Sequence, residues 1–151
     1  MSANYTSKHG IVARADYDLY MMFTDMRRIV EMLPADKREG VKADFDTIEA
    51  TVQGYTIGVK VTQRHPYDRI CISDNGGSPF SFNITLHFDR FAEAGKTDFW
   101  VELEADLNMM LRMMIGGKIQ DALDKAVDAL VAVSEGRMPE GFDPGKNPFA
   151  S

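Results

Sequence analysis

The chain has 151 residues, 44% hydrophobic and 26% charged, with a formal net charge of −6 from 17 basic and 23 acidic residues. That length and balance suit one globular domain with its own core. The acidic excess argues against a broad nucleic-acid footprint and against electrostatic attachment to anionic lipid, because both want a basic face.

Tyr5 to Arg14 alternates loosely through Ile11 and Val12 and reads as the first strand. Asp16 reads as the N-cap of a short helix that buries Leu19, Tyr20, Met22 and Phe23. Thr24-Asp25 breaks it. Asp25 then caps a second helix, Met26 to Met32, which Pro34 ends. From Val41 the period changes to two. Ile48, Ala50 and Val52 alternate with polar partners, Gln53-Gly54 makes a hairpin turn, and Tyr55, Ile57, Val59 and Val61 continue the apolar face. Past RHPYD, Ile70 and Ile72 point the same way. DNGGSP turns the chain again. Phe80, Phe82, Ile84, Leu86 and Phe88 then alternate with Ser81, Asn83, Thr85, His87 and Asp89. After EAGK, Phe99, Val101, Leu103, Ala105 and Leu107 alternate with Trp100, Glu102, Glu104 and Asp106.

The last long element, Asp106 to Glu135, reads as one helix. Leu111, Met114, Ile115, Ile119, Leu123, Ala126, Val127 and Leu130 fall at helical spacing. Beyond Gly136, RMPEGFDPGKNPFAS is rich in Pro and Gly, so residues 1–136 read as the single domain and 137–151 as a flexible tail. The meander has one apolar and one polar face, and its apolar face needs a cover. The closing helix is long enough to supply it, at about 28 residues and roughly 40 Å.

The order of strand, two short helices, long antiparallel meander and long C-terminal helix resembles the START-like superfamily, also called SRPBCC. That superfamily includes polyketide cyclases and the birch-pollen-allergen-type carriers. The local cues are YTSKHGIVARADYDLYMMFTDMRRIVEMLP at the start and the helix following VELEADLNMM, and the likeness covers about residues 4–136. The resemblance implies the helix-grip fold, an α+β architecture. Its curved antiparallel sheet wraps around the C-terminal helix, and two short helices follow the first strand. It is nearly silent on function, since this fold carries cyclases, dehydratases, carriers and co-chaperones alike.

A curved sheet gripped by a helix is a way to enclose a small hydrophobic ligand such as a lipid, isoprenoid or polyketide-like ring. The expected lining is Tyr55, Ile57, Val59, Phe80, Phe82, Phe99 and Val101 from the strands, with Met110, Met113 and Met114 from the helix. Flexible, polarisable thioethers suit an adaptable apolar pocket, and a Met-filled core is the plainer reading. Gly116-Gly117 inside a helix calls either for close packing or for a kink.

Polar groups on the inward face are few: Tyr55, with Tyr5 and His9 from the first strand. Arg64, His65 and Arg112 belong to a rim, where Arg112 pairs with Glu104 or Asp106 or meets a ligand carboxylate. This inventory favours binding without catalysis, although a cyclase or dehydratase remains open. His87, Trp100 and Glu102 fall on the outer face, where a lone Trp suits a protein-interaction module or a homodimer contact.

His9, His65 and His87 form no HxxxH or HExxH pattern and Cys71 is the only cysteine, so neither a zinc-type metal site nor an intrachain disulfide is expected. In RICIS that cysteine reads as a small sheet residue. No nucleotide-binding or serine-hydrolase motif is present, and no cofactor is expected. MSANYTSKHG is polar throughout and no run approaches the ~18 apolar residues of a membrane span. The expectation is a cytoplasmic protein with a small hydrophobic ligand, without stable membrane association and without nucleic acid as a partner.

Overall fold

The structure, a computed structural model, describes residues 2–32, 35–52, 54–78 and 80–137. The expected tail beyond Arg137, the helix stop at Pro34 and the turn residue Gln53 lie outside the described residues, as does the side chain of Tyr55.

Eight strands form one antiparallel sheet: β1 Ser2–Thr6, β2 Gly10–Val12, β3 Val41–Ala43, β4 Thr47–Val52, β5 Tyr55–His65, β6 Arg69–Asp74, β7 Phe82–Arg90 and β8 Thr97–Asp106. The spatial order is β1-β8-β7-β6-β5-β4-β3, and β2 also pairs with β8. Two short helices, α1 Asp16–Phe23 and α2 Met26–Glu31, follow β2, and α3 Met109–Ser134 closes the described chain. α1 packs on β6 and β7, α2 on β3 and β4, and α3 along β1, β2 and β8. This is the α+β helix-grip arrangement that the sequence implies.

The expected first strand is two strands with a break at Ser7 to His9. Ser7 keeps the ladder intact across it. Its N–H donates to Val101 O at 2.9 Å, and its buried Oγ accepts from Val101 N at 2.9 Å. α3 satisfies the rest: Gln120 donates to Thr6 O at 2.9 Å, and Asp124 accepts from Lys8 N at 2.7 Å. Next in the chain comes Gly10, where an added Cβ would lie 2.6 Å from Val127 Cγ1 and 2.7 Å from Val131 Cγ2. Glycine is what lets the helix lie directly on β2.

Helix starts differ from expectation by a few residues. Ala15, not Asp16, is the N-cap of α1, and Asp16 instead accepts from Tyr17 N in the first turn. Asp25 does cap α2, accepting from Arg27 N at 3.0 Å. α3 begins at Met109 rather than Asp106, because β8 continues through Asp106, whose N–H reaches Ser81 O at 2.8 Å. Asn108 then caps the helix through Leu111 N.

A bulge in β5 between Val61 and Gln63 reverses the alternation, so Arg64 pairs with the inward Ile70. Arg64 is therefore not a free rim cation. It donates to Thr24 Oγ1 and Thr24 O at 2.8 Å each and to Phe45 O at 3.0 Å, and it pairs with Asp46 at 2.6 Å. It is the tie between the α1–α2 break and the sheet.

Candidate functional site

The concave face of the sheet is packed unevenly. At the end under α1 and α2, Leu19, Met26, Ile70, Phe88, Phe99 and Val127 form a closed core. Phe23, Phe88 and Phe99 stack there with ring centroids 5.7 to 6.0 Å apart. Toward β5 and the start of α3 the same face is looser. Ile57 on β5 remains 38% exposed, and Val59, Ile84 and Leu86, which pack against that core, are only half-buried. In a second cluster flanking this region, Phe80, Phe82 and Leu103 of the sheet side and Leu111, Ile115 and Ile119 of α3 pack against Ala3, Ala105 and Leu107. The partly exposed inward face of β5–β7, beside the strands that α3 covers, is the candidate groove.

The expected lining residues divide into three groups. Ile57, Val59, Phe80 and Phe82 border the groove. Phe99 and Val101, at 3% and 4% exposure, belong to the packed core instead. Met110, Met113 and Met114 are 71%, 82% and 63% exposed, so they point to solvent. Leu111, Ile115 and Ile119 occupy the sheet-facing stripe in their place. That i, i+4, i+8 stripe is part of the one read from the sequence, to which Met114 does not belong.

The double glycine splits between two environments. A Cβ at Gly116 would lie 3.0 Å from Tyr5 Oη, so that position serves close packing on β1. Gly117 faces open space. Tyr5 lies beneath Gly116, and Arg112 lies over the β1 edge of the sheet. Arg112, expected to pair with Glu104 or Asp106, donates to Ser2 O at 2.8 Å. Its Nε–H is buried without a hydrogen-bond partner.

His9 does not face the groove. On the convex face Trp100 is sandwiched between two imidazoles: His87 stacks at 3.9 Å between centroids and His9 at 4.8 Å. Each ring of the sandwich has a carboxylate partner. His87 meets Glu102 at 2.6 Å, His9 meets Asp98 at 3.0 Å, and the indole N–H donates to Asp89 at 2.7 Å. The alternation placed His87, Trp100 and Glu102 together on this face. The break at Ser7 to His9, which carries no sequence signature, brings His9 to them. With both indole faces covered, Trp100 is a packed residue and not an open docking anchor.

Carboxylates with lowered pKa serve turns and caps. Arg27 beside Asp25 holds that carboxyl below its usual range. The Thr47 hydroxyl and nearby backbone N–H groups do the same for Asp44. At Asp74 the Phe82 backbone N–H is the main cause, with the Gly76 N–H also contributing. Among the described residues no three His, Cys, Asp or Glu side chains are grouped to hold a metal ion, and no helix is long and apolar enough to cross a membrane.

No family model matches the chain, and no curated protein matches it. Solved structures do. One from Thermobifida fusca has a TM-score of 0.62 at 14% identity, covering 93% of this chain and 97% of that one. A protein from Rhizobium loti has a TM-score of 0.61 at 10% identity, covering 89% and 97%. A point mutant of norcoclaurine synthase from Thalictrum flavum, in complex with a transition-state analogue, has a TM-score of 0.61 at 11% identity, covering 90% and 96%. The chain has the START-like helix-grip fold. At these identities the helix-grip likeness concerns architecture and leaves the groove's occupant to be argued from the side chains.

Proposed function

We propose that this protein binds a small hydrophobic molecule in the groove between the concave sheet face and α3, without chemistry. One observation carries the reading: Ile57, and to a lesser degree Val59, Ile84 and Leu86, keep exposure on the inward face while the α1–α2 end of that face is closed. Covering such surface with a ligand is favourable by ~25 cal/mol per Å². A protein that folds around its own core would otherwise fill that space itself.

The polar inventory supports binding over catalysis. Acid–base chemistry needs a proton donor or acceptor within hydrogen-bond reach of the reacting atoms. The inward side chains of β5–β7 that keep exposure, Ile57, Val59, Ile84 and Leu86, are aliphatic and carry no such group. A cyclase or dehydratase is the second reading. It draws on the fold neighbour norcoclaurine synthase and on the Tyr5 hydroxyl.

Native mass spectrometry of the freshly purified protein, followed by organic extraction, tests the proposal. An adduct of a few hundred daltons that extracts into organic solvent is the expected result. A clean apo mass, together with failure to take up fatty acids or a fluorescent lipid probe, would sink it.

A further inference from the structure

The solvent face at the start of α3 carries four methionines and no other apolar side chain. Met109, Met110, Met113 and Met114 are all more than half exposed, whereas Leu111 and Ile115 of the same turns face the sheet. Hydrocarbon goes inward and sulfur goes outward. A surface selected only for greasiness would have no reason to make that separation.

Helical geometry brings the four together. Met110, Met113 and Met114 fall within an arc of about 100° and Met109 lies about 40° beyond it. Pairs at i, i+3 and i, i+4 have Cβ atoms about 5–6 Å apart. Gly117 sits at i+4 and i+3 from Met113 and Met114. A helical side chain covers the turn N-terminal to its own Cα, so a residue with a side chain there would lie over these thioethers. Gly117 is exposed, with nothing within 4 Å of where its Cβ would be, which leaves them uncovered. This accounts for a helix-interior glycine that packing does not require.

We propose that Met109, Met110, Met113 and Met114 form a thioether site for a soft monovalent metal ion, copper(I) being the biological candidate. Thioethers select such ions over hard divalent cations. The nearest arginine, Arg112, is turned away and occupied by Ser2 O. The positive end of the helix opposes any cation here, so hard ions held by charge alone are not retained. Only an ion with covalent affinity for sulfur is. The site is independent of the groove and its ligand.

The test uses protein labelled with ¹³C at the methionine methyl groups, as wild type and as Cys71→Ser, which removes the competing thiol. Silver(I) serves as a redox-inert probe, and copper(I) affinity is measured anaerobically against a chromophoric chelator. Methyl signals of the four clustered residues are expected to shift together and saturate at one equivalent, with Met21, an isolated exposed methionine, unmoved. Changing all four to Leu keeps the patch apolar. It is expected to weaken copper(I) binding at least tenfold with an unchanged melting temperature. Equal response at Met21, or undiminished affinity in the Leu variant, would overturn the site.

Discussion

Three glycines decide how α3 sits, and each makes a different demand. Gly10 is a contact position: even an alanine methyl would overlap Val127 and Val131, side chains of the buried helix face. Gly10→Ala is therefore expected to destabilise the fold by about 1–3 kcal/mol, the usual cost of overpacking. Gly117 is the opposite case. It lies in the helix with open space around it, so Gly117→Ala is expected to stabilise by about 0.5–1 kcal/mol through reduced chain entropy and better helix propensity. Urea denaturation of the two variants checks both signs. Equal effects would mean that α3 does not rest on β2 as described. Gly116 lies between these cases, with Tyr5 Oη beneath it.

Among the elements, the turn between β6 and β7 is held by one carboxylate. Asp74 accepts from Phe82 N at 3.0 Å and from Gly76 N at 3.2 Å, and Gly76 adopts a φ of 84° there. These N–H groups favour the charged form, so the folded carboxyl titrates below the unfolded one, whose pKa is about 3.9. The stabilisation is complete above that value and is lost as pH falls through the lower, folded value. Asp44 and Asp25 act in the same sense. Melting temperature is expected to fall as the pH drops below about 4. Asp74→Asn, which cannot titrate, should start from a lower neutral value and fall less steeply. A parallel pair of melting curves would show that the Asp74 tie contributes nothing.

Much of this element structure was legible beforehand. Alternation fixed the inward face of β4 through β8, and Asp25 announced α2. Two irregularities were not legible. The break at Ser7 and the bulge after Val61 depend on what α3 and the α1–α2 corner offer as partners, and no local residue pattern marks them. Without the bulge Arg64 appears free, and without the break His9 appears to face inward. At the start of α3 the difficulty was different. MMLRMMI is apolar nearly all round the helix, so periodicity found Leu111 and Ile115 but admitted Met114 beside them. Packing chose Leu111 and Ile115 and left the methionines outside.

For the whole molecule, the closed end and the open groove have separate duties, and this makes the proposed ligand testable through stability. The core under α1 and α2 supplies a folded apo protein, so a ligand in the groove adds stability without being needed for folding. At a free concentration of about 100 times Kd, binding stabilises by roughly 2.7 kcal/mol. For a domain of this size that raises the melting temperature by roughly 5–10 °C. Val59 lies on the inner face of the open side, paired with Ile48 and half-buried. Val59→Trp places an indole where the ligand would lie. The variant is expected to melt within a few degrees of the parent in the absence of ligand, since the proposed groove accepts the ring. It is also expected to lose the fatty-acid-induced rise. A large drop without ligand would show that the space beside Val59 is already filled, and an undiminished rise would place the ligand elsewhere. Asp121→Trp, exposed on the half of α3 turned away from Leu111, Ile115 and Ile119, serves as the control for adding the same ring without blocking β5.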